Sequence, residues 1–487
     1  MGIYLVLERR NILKIVENKK VALHLLKRVV NRGAYEVKSY LDKQHISPCK
    51  HILYVNKGIR GGDGSGKNWE NAIVELADAL KWAHENKDKN LWSETEPLQI
   101  WVAEGTYQPL YSPEDGKGFS DHVKEPRDRS FLLVKNVQLY GGFPASGNPG
   151  MSDRRIKSRG GSATVLSGDY NGDDGNIGEG KDLKMTNRTD NAFHVVLLSG
   201  DMGEKCRLDG FSIVGGGSDN LGSSIRVAGH RFCRAYGGGI YNMVTAGSPT
   251  FKNLEICDNM ASSVSGYAYG GGVYTEYSGE GVMTWANNNI HNNTVLSSSA
   301  ASAAFGGAVY NWNYGKGTMI WTNNYFSDNA ATSTSLTYGG AIYNANEGIM
   351  TWTNTVVKDN HATSTSLAYG GGIFNSNSGS ITWINNHITG NRVCSSHSSA
   401  YGGGVFNKST ESGTMTWINS SIIGNIIVGN PSSVAAGMYN KPGTRIKVYN
   451  SVVYGNEGVR SLDEDSSLSV PFSIDFYYTN FFVEIDN

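Results

Sequence analysis

Two aspartates, Asp328 and Asp359, each precede an asparagine at the same place in successive copies of a repeat. If the copies stack as neighbouring strands, the two carboxylates lie about 5 Å apart. Carboxylates that close push one pKa up and suit acid–base catalysis, or together they hold Ca²⁺ through oxygen ligands. Lys358 and His361 are beside them in the chain. The competing reading is that Asp before Asn is turn chemistry, and the neighbouring copies carry Asn292 and Gly390 at that place. A second acidic segment, DYNGDDGN at 169–176, is followed by Glu179 and Asp182. Asp169, Asn171 and Asp173 offer oxygens at alternate positions, as a calcium loop does, and Asp174 adds another. The EF-hand form is not met, because Asp174 takes the sixth place and Gly180 the twelfth. A surface loop of Asp, Gly and Asn also forms without an ion. The nucleophile elbow, the zinc-binding His-Glu-x-x-His and the phosphate-binding loop are all missing from the sequence.

Two aromatic series recur with these acids. Trp285, Trp321, Trp352, Trp383 and Trp417 each share a strand face with the residue two places earlier, which is Met in four copies and Ile381 in the other, so the tryptophans belong in a core ladder. A stripe for stacking sugar rings is the alternative. Tyr241, Tyr274, Tyr310, Tyr343, Phe374 and Phe406, with Tyr439 after them, form the second series. Their neighbours Ile240, Val273, Val309, Ile342, Ile373, Val405 and Met438 take the opposite face and should be core. The aromatic rings then face outward as a contact stripe for a glycan or a protein, unless the Tyr-Gly-Gly turns cover them.

The elements that would position these residues are set by the repeat. YGGGIYN at 236–242 recurs as YGGGVYT, FGGAVYN, YGGAIYN, YGGGIFN, YGGGVFN and VAAGMYN, with starts 33, 36, 33, 31, 32 and 33 residues apart. A fixed period of this size marks stacked units that cannot bury their apolar faces alone. Within each unit apolar residues alternate with Thr or Gly over runs of four to six, a strand period. Gly, Asn, Ser and Thr fill the gaps and favour bends. We expect about three short strands and three bends per unit, one unit per coil, and parallel pairing of equivalent strands. That is an all-β, right-handed parallel β-helix, with the Asn at each bend stacked in an amide ladder. Helical repeats would need long runs of 3.6 period, and propeller blades a longer repeat of antiparallel hairpins.

The GGAI at 339–342 with FSDN at 326–329 resembles the repeat of polymorphic outer-membrane proteins, and more broadly the secreted β-helix proteins of the pectin-lyase-like superfamily. ILYVN at 52–56, GDGSGKNW at 62–69 and residues 72–83 resemble that group's first strand, loop and capping helix; IWVAEGTY at 100–107 resembles its first coil strand. VQLYGGF at 137–143, TVLSGD at 164–169, DNAFHVV at 190–196 and LDGFSI at 208–213 continue the match, which spans about 51 to 456. The resemblance implies an extracellular or cell-surface protein and a polysaccharide, host glycan or protein partner. It does not choose an activity, since lyases, hydrolases and adhesins share the fold.

Four segments follow: a basic leader at 1–50, helical or an upstream mis-start; the cap and irregular first coils at 51–205; regular coils at 206–456; and an aromatic cap or truncated tail at 457–487. The leader holds 11 Lys/Arg against four acids and no apolar run long enough for a signal peptide. Net charge is −1, which favours neither nucleic acid nor an anionic membrane. No apolar run is long enough for a transmembrane helix. The five cysteines have neither zinc spacing nor a disulfide framework. An enzyme on this fold should interrupt its repeats with charge in consecutive coils. The coils at 236–456 are regular and poor in charge, so an active site would lie in the irregular stretch at 108–235. The sequence therefore favours a non-catalytic, adhesin-like or glycan-binding surface protein over a polysaccharide lyase or glycoside hydrolase acting on acidic polysaccharide.

Overall fold

The computed structural model describes residues 46–120, 125–178, 183–219, 222–410, 412–430 and 432–458, together with the backbone of 468–469 and 474–477. Most of the leader and of the aromatic tail, and Glu179 and Asp182, lie outside the described residues. The described residues form an all-β parallel solenoid, and 5% of them are helical. One coil serves for all: Val309–Asn313, Thr318–Thr322, Tyr325–Ser327, Ala330–Ser333 and Leu336–Tyr338. Each strand pairs in parallel and in register with its equivalent one coil on, Trp321 with Trp352 and Tyr310 with Tyr343. The equivalents of these strands build sheets of 10, 12, 10, 7 and 5 strands respectively.

A coil thus has five strands where the repeat suggested three. The extra pair comes from the segment between the bend asparagine and the Tyr-Gly-Gly turn. It runs out along Ala330–Ser333 and back along Leu336–Tyr338, making a thin two-layered fin. Its interior is small: Ala261, Ala268, Val295, Ala304 and Ala331 in one cluster, and Ala362, Ala368, Val393 and Ala400 among those of a second. Large side chains would hold the layers apart, so the alanines set the fin's thickness. The turn that rejoins the body needs glycine twice over. Gly339 has φ 70°, and a Cβ on Gly340 would collide with the carbonyl of Gly371 in the next coil.

The main core lies between the Thr318–Thr322, Tyr325–Ser327 and Val309–Asn313 sheets. Trp285, Trp321, Trp352, Trp383 and Trp417 are fully buried there, as expected. Their ring centroids are 4.7, 4.6, 4.9 and 4.9 Å apart and their planes stay within 9° of parallel. Phe251 heads the stack at 4.0 Å. The upper end is closed by α1 (Leu76–Asn86), which starts four residues later than the sequence suggested. It buries Leu76, Ala77, Ala79, Leu80 and Ala83 against the first coils.

The expected amide ladder is present more than once. Asn259, Asn293, Asn329, Asn360, Asn391, Asn425 and Asn456 form a buried file. Each Nδ2 donates to the Oδ1 of the next, from 2.9 to 3.1 Å. The same Oδ1 accepts the backbone N–H of the residue one coil back, so Asn360 takes both N and Nδ2 of Asn329. A second buried file runs from Asn311 through Asn344, Asn375 and Asn407 to Asn440. A half-exposed file at the bend after the tryptophan strand contains Asn287, Asn323 and Asn354, and there each amide donates backwards.

These contacts set the cost of single changes. Trp352→Ala leaves a cavity in the middle of the stack and should cost about 3–5 kcal/mol. Asn360→Ala strands buried donors and acceptors in two coils and should cost about 1–3 kcal/mol. Asn354→Gly, which keeps the left-handed backbone (φ 50°) and removes only the outer amide, should cost about 0.5 kcal/mol or less. Urea unfolding midpoints of the three variants check the order, and equal losses at Asn354 and Asn360 would contradict it.

Candidate functional site

The Tyr-Gly-Gly turns decide the fate of the aromatic stripe. Tyr241, Tyr274, Phe374 and Phe406 are buried, at 2, 5, 5 and 5% exposure, and Tyr310 and Tyr343 are only partly exposed. Of the two readings of these six rings, a free stripe or one covered at the Tyr-Gly-Gly turns, the structure has the covered one. They do point away from the main core. A second file, Tyr236, Tyr269, Phe305, Tyr338, Tyr369 and Tyr401, folds over them from the fin. The cause is geometric: the fin leaves the body at a re-entrant corner, and the aromatic before each Gly-Gly ends the fin strand at that corner.

The result is an aromatic groove along the solenoid. Its floor stacks at 4.9–5.1 Å from Tyr274 through Tyr310, Tyr343, Phe374 and Phe406 to Tyr439. The covering file stacks at 4.6–5.4 Å from Tyr269 to Tyr401. The files meet edge to face, Tyr338 on Phe374 at 5.1 Å and 78°, Tyr369 on Phe406 at 5.1 Å and 74°. Each edge-to-face pair directs the positive rim of one ring at the negative face of the other. The covering rings remain part-exposed. The flanking positions on the floor strands are Met243, Glu276, Trp312, Ala345, Ser376 and Lys408, so charge appears only toward the two ends. Burial pushes the Tyr338 and Tyr343 hydroxyls up and those of Tyr269 and Tyr369 to about 12, so the groove stays neutral. At the head of the groove the hairpin Ser224–Val227/His230–Cys233 lays Phe232 on Tyr241, 4.8 Å between centroids.

The acidic loop is placed partly as expected. Asp169 and Asp173 come together, and the third carboxylate that joins them is Asp190, with one oxygen of each within 4.8 Å of the others. Asp190 was missed because it lies 17 residues beyond Asp173 and is brought back by the Gly175–Ile177/Lys184–Thr186 hairpin. Asp174 is not in that group. Its Oδ2 accepts from Arg188 Nη1 at 2.7 Å and from Asn191 Nδ2 at 2.9 Å. Burial raises its carboxyl to about 6 against the pull of Asn191 and Arg188, with Asp169 and Asp190 adding to the rise. The main chain uses much of the remaining oxygen: Asp169 Oδ1 accepts the N–H groups of Asn171 and Gly172, and Asp190 Oδ2 also accepts that of Asn171. Asn171 is thus placed as a backbone donor to these carboxylates.

Asp328 and Asp359 belong to a column that explains them without chemistry. Asp258, Asn292, Asp328, Asp359, Gly390, Gly424 and Gly455 all take φ between 53° and 64° in front of the ladder asparagines. Asp, Asn and Gly are the residues that enter this left-handed region readily. Asp359 is 42% exposed and pairs with the adjacent Lys358 at 3.1 Å.

A buried histidine beside the first Tyr-Gly-Gly turn is strongly perturbed. His194 is 2% exposed. Its Nδ1 sits 3.0 Å from the carbonyl of Gly237 and 3.2 Å from Ser218 Oγ, and its ring meets Tyr241 edge-on at 5.2 Å. Burial holds it at about 4, well below its ordinary 6.5. Elsewhere, a cleft of about 720 Å³ opens between the end of α1 and the strand edge near Leu133, and its two lysines are each paired, Lys135 with Asp201 at 2.5 Å and Lys87 with Asp88 at 2.6 Å. No family model matches this chain, and neither does any curated protein or solved structure.

Two outcomes follow from the site chemistry. Asp359→Gly should leave stability within about 0.5 kcal/mol, whereas Asp359→Val should lose about 1–2 kcal/mol from the left-handed backbone; equal losses in denaturant midpoint would return the carboxylate to consideration. His194 is neutral when folded, so its contribution is whole above pH 6.5 and drains away as pH falls toward 4. By linkage that is roughly 3 kcal/mol. His194→Gln should flatten this part of the stability profile, read from unfolding midpoints across that range.

Proposed function

We propose that this chain is a non-catalytic secreted or cell-surface solenoid of the pectin-lyase-like type, adhesin-like in role, that binds an extended glycan in the aromatic groove. The single observation behind this is the unbroken double file of rings, whose covering members, Tyr269, Phe305, Tyr338, Tyr369 and Tyr401, are neutral and part-exposed. Sugar rings present apolar C–H faces and a rim of hydroxyls, and part-exposed tyrosines answer both, with ring faces for one and hydroxyls for the other. The repeat of the groove is that of the coils, about 4.8 Å, so a polymer lying along the axis meets the same surface again and again. Many weak equivalent contacts suit holding a polymer better than cutting it at one bond.

Among the described residues, no helix is long and apolar enough to cross a membrane; this leaves β-barrels aside. The second reading, a lyase or hydrolase for acidic polysaccharide, draws on one place: Asp169, Asp173 and Asp190 with Arg188 and the raised carboxyl of Asp174 nearby. Carboxylates of that kind hold Ca²⁺, and a cation there would face an anionic sugar.

A glycan array screen of the full chain separates the two, run beside assays for new reducing ends and unsaturated uronate with and without Ca²⁺. We expect binding without turnover. Tyr338→Ala and Tyr369→Ala, at the rim of the groove, should each cost more than about 1 kcal/mol of binding, about a fivefold or greater rise in Kd. Calcium-dependent cleavage that survives both substitutions would move the function to the acidic loop.

A further inference from the structure

The outer face of the tryptophan sheet carries a grid that neither the groove nor the acidic loop uses. In five successive strands the odd positions point out: Val282, Thr284 and Ala286; Thr318, Ile320 and Thr322; Ile349, Thr351 and Thr353; Ser380, Thr382 and Ile384; Thr414, Thr416 and Ile418. All fifteen are part-exposed or exposed, and none is charged, in a chain with 43 basic and 44 acidic residues. The charged neighbours are Lys252 before the grid and Lys447 after it, so the neutral patch has defined ends.

Three further observations make this face unusual. It is in strict register, Thr351 opposite Thr382 and Thr382 opposite Thr416, so like positions fall in rows. It barely twists. Neighbouring indoles rooted in the same strands lie within 9° of parallel at each step, whereas strands in ordinary sheets rotate by roughly 20–25° from one to the next. Most of its hydroxyls are also unengaged: those of Thr322, Thr351, Thr353, Thr382 and Thr416 have no partner among the described residues, while Thr414 Oγ1 donates to Ser380 Oγ at 3.4 Å. The face is therefore a flat, rigid, near-rectangular array of hydroxyl and methyl groups, at ~4.8 Å between coils and ~6.6 Å along each strand.

We propose that this face is an ice-binding surface. Water held by a fixed hydroxyl and caged round the adjacent methyl group is placed on the grid's own spacing. The oxygen atoms of the ice prism plane repeat on a rectangle of nearly these dimensions, so the ordered layer can merge with the crystal. Charge would impose a competing hydration shell, and the face has none. Twist would break the match within a few rows, and the stacked indoles hold the sheet flat. A crystalline polysaccharide is the other uncharged periodic solid, but its sugar planes call for ring stacking, and these fifteen positions include no aromatic residue.

The experiment is ice-affinity partitioning of the full chain, with thermal hysteresis measured on the same samples and a microcrystalline cellulose pull-down beside it. The chain should concentrate in the growing ice and show hysteresis. Thr382→Tyr, in the centre of the grid, should lose both while keeping the wild-type circular dichroism. Thr351→Lys, which introduces charge instead of bulk, gives the same reading if the tyrosine variant fails to fold. Thr332→Tyr, on the fin, should partition as the wild type does. Exclusion of the wild-type chain from ice overturns the proposal, as does full activity in the folded grid variants. Cellulose binding that the grid variants abolish, without ice partitioning, overturns it in favour of a crystalline polysaccharide.

Discussion

Every strand of this solenoid leaves its backbone N–H and C=O groups pointing along the axis, where only the next coil can satisfy them. A buried polar group without a partner costs free energy comparable to a lost hydrogen bond, so coils must stack with equivalent residues opposite one another. The rest of the structure depends on this constraint. Once like faces like, any side chain able to bond or stack with a copy of itself gains at every step. Asparagine does so through Nδ2 and Oδ1, and Trp and Tyr through offset ring faces. The amide files, the indole stack and the two aromatic files of the groove are consequences of one register.

The same constraint shapes where function can sit. A periodic scaffold makes surfaces by repetition, and its two notable surfaces, the aromatic groove and the threonine grid, each present one contact many times. A single reactive centre needs the opposite, a place where coils differ. Such differences are confined to the early coils, where inserted segments bring Asp169, Asp173 and Asp190 together. There Arg127 reaches Asp219 at 3.0 Å and Arg234 pairs with Asp128. The irregular coils use most of their charge to hold loops onto the barrel of the solenoid, and Asp174 with Arg188 is an instance.

His194 links the two regions. It stands where the irregular coils meet the first Tyr-Gly-Gly turn, accepting no charge and packing on Tyr241. The head of the groove is built on a side chain that must remain neutral, closed above by the Phe232 hairpin. Lower down, the groove is built on tyrosine and phenylalanine rings, and burial pushes the Tyr338, Tyr343 and Tyr369 hydroxyls up, so those rings stay neutral.

The sequence by itself determined the repeat, the parallel solenoid, the inward tryptophans and the amide ladder, because each is a local pattern multiplied by a fixed period. It also contained the reason for Asp328 and Asp359, since their column reads Asp, Asn, Asp, Asp, Gly, Gly, Gly, the signature of a left-handed bend. Tertiary structure decided three things. The number of strands per coil was hidden because the fin's Ala, Ser and Thr strands alternate too weakly to stand out from a loop. Whether the Tyr/Phe stripe was covered depended on the angle at which the fin leaves the body, which no one-dimensional pattern encodes. The partner of Asp169 and Asp173 was Asp190, placed by a hairpin rather than by spacing. Periodicity specifies what a residue faces in the next coil, and only the folded path of the chain specifies what it faces within its own.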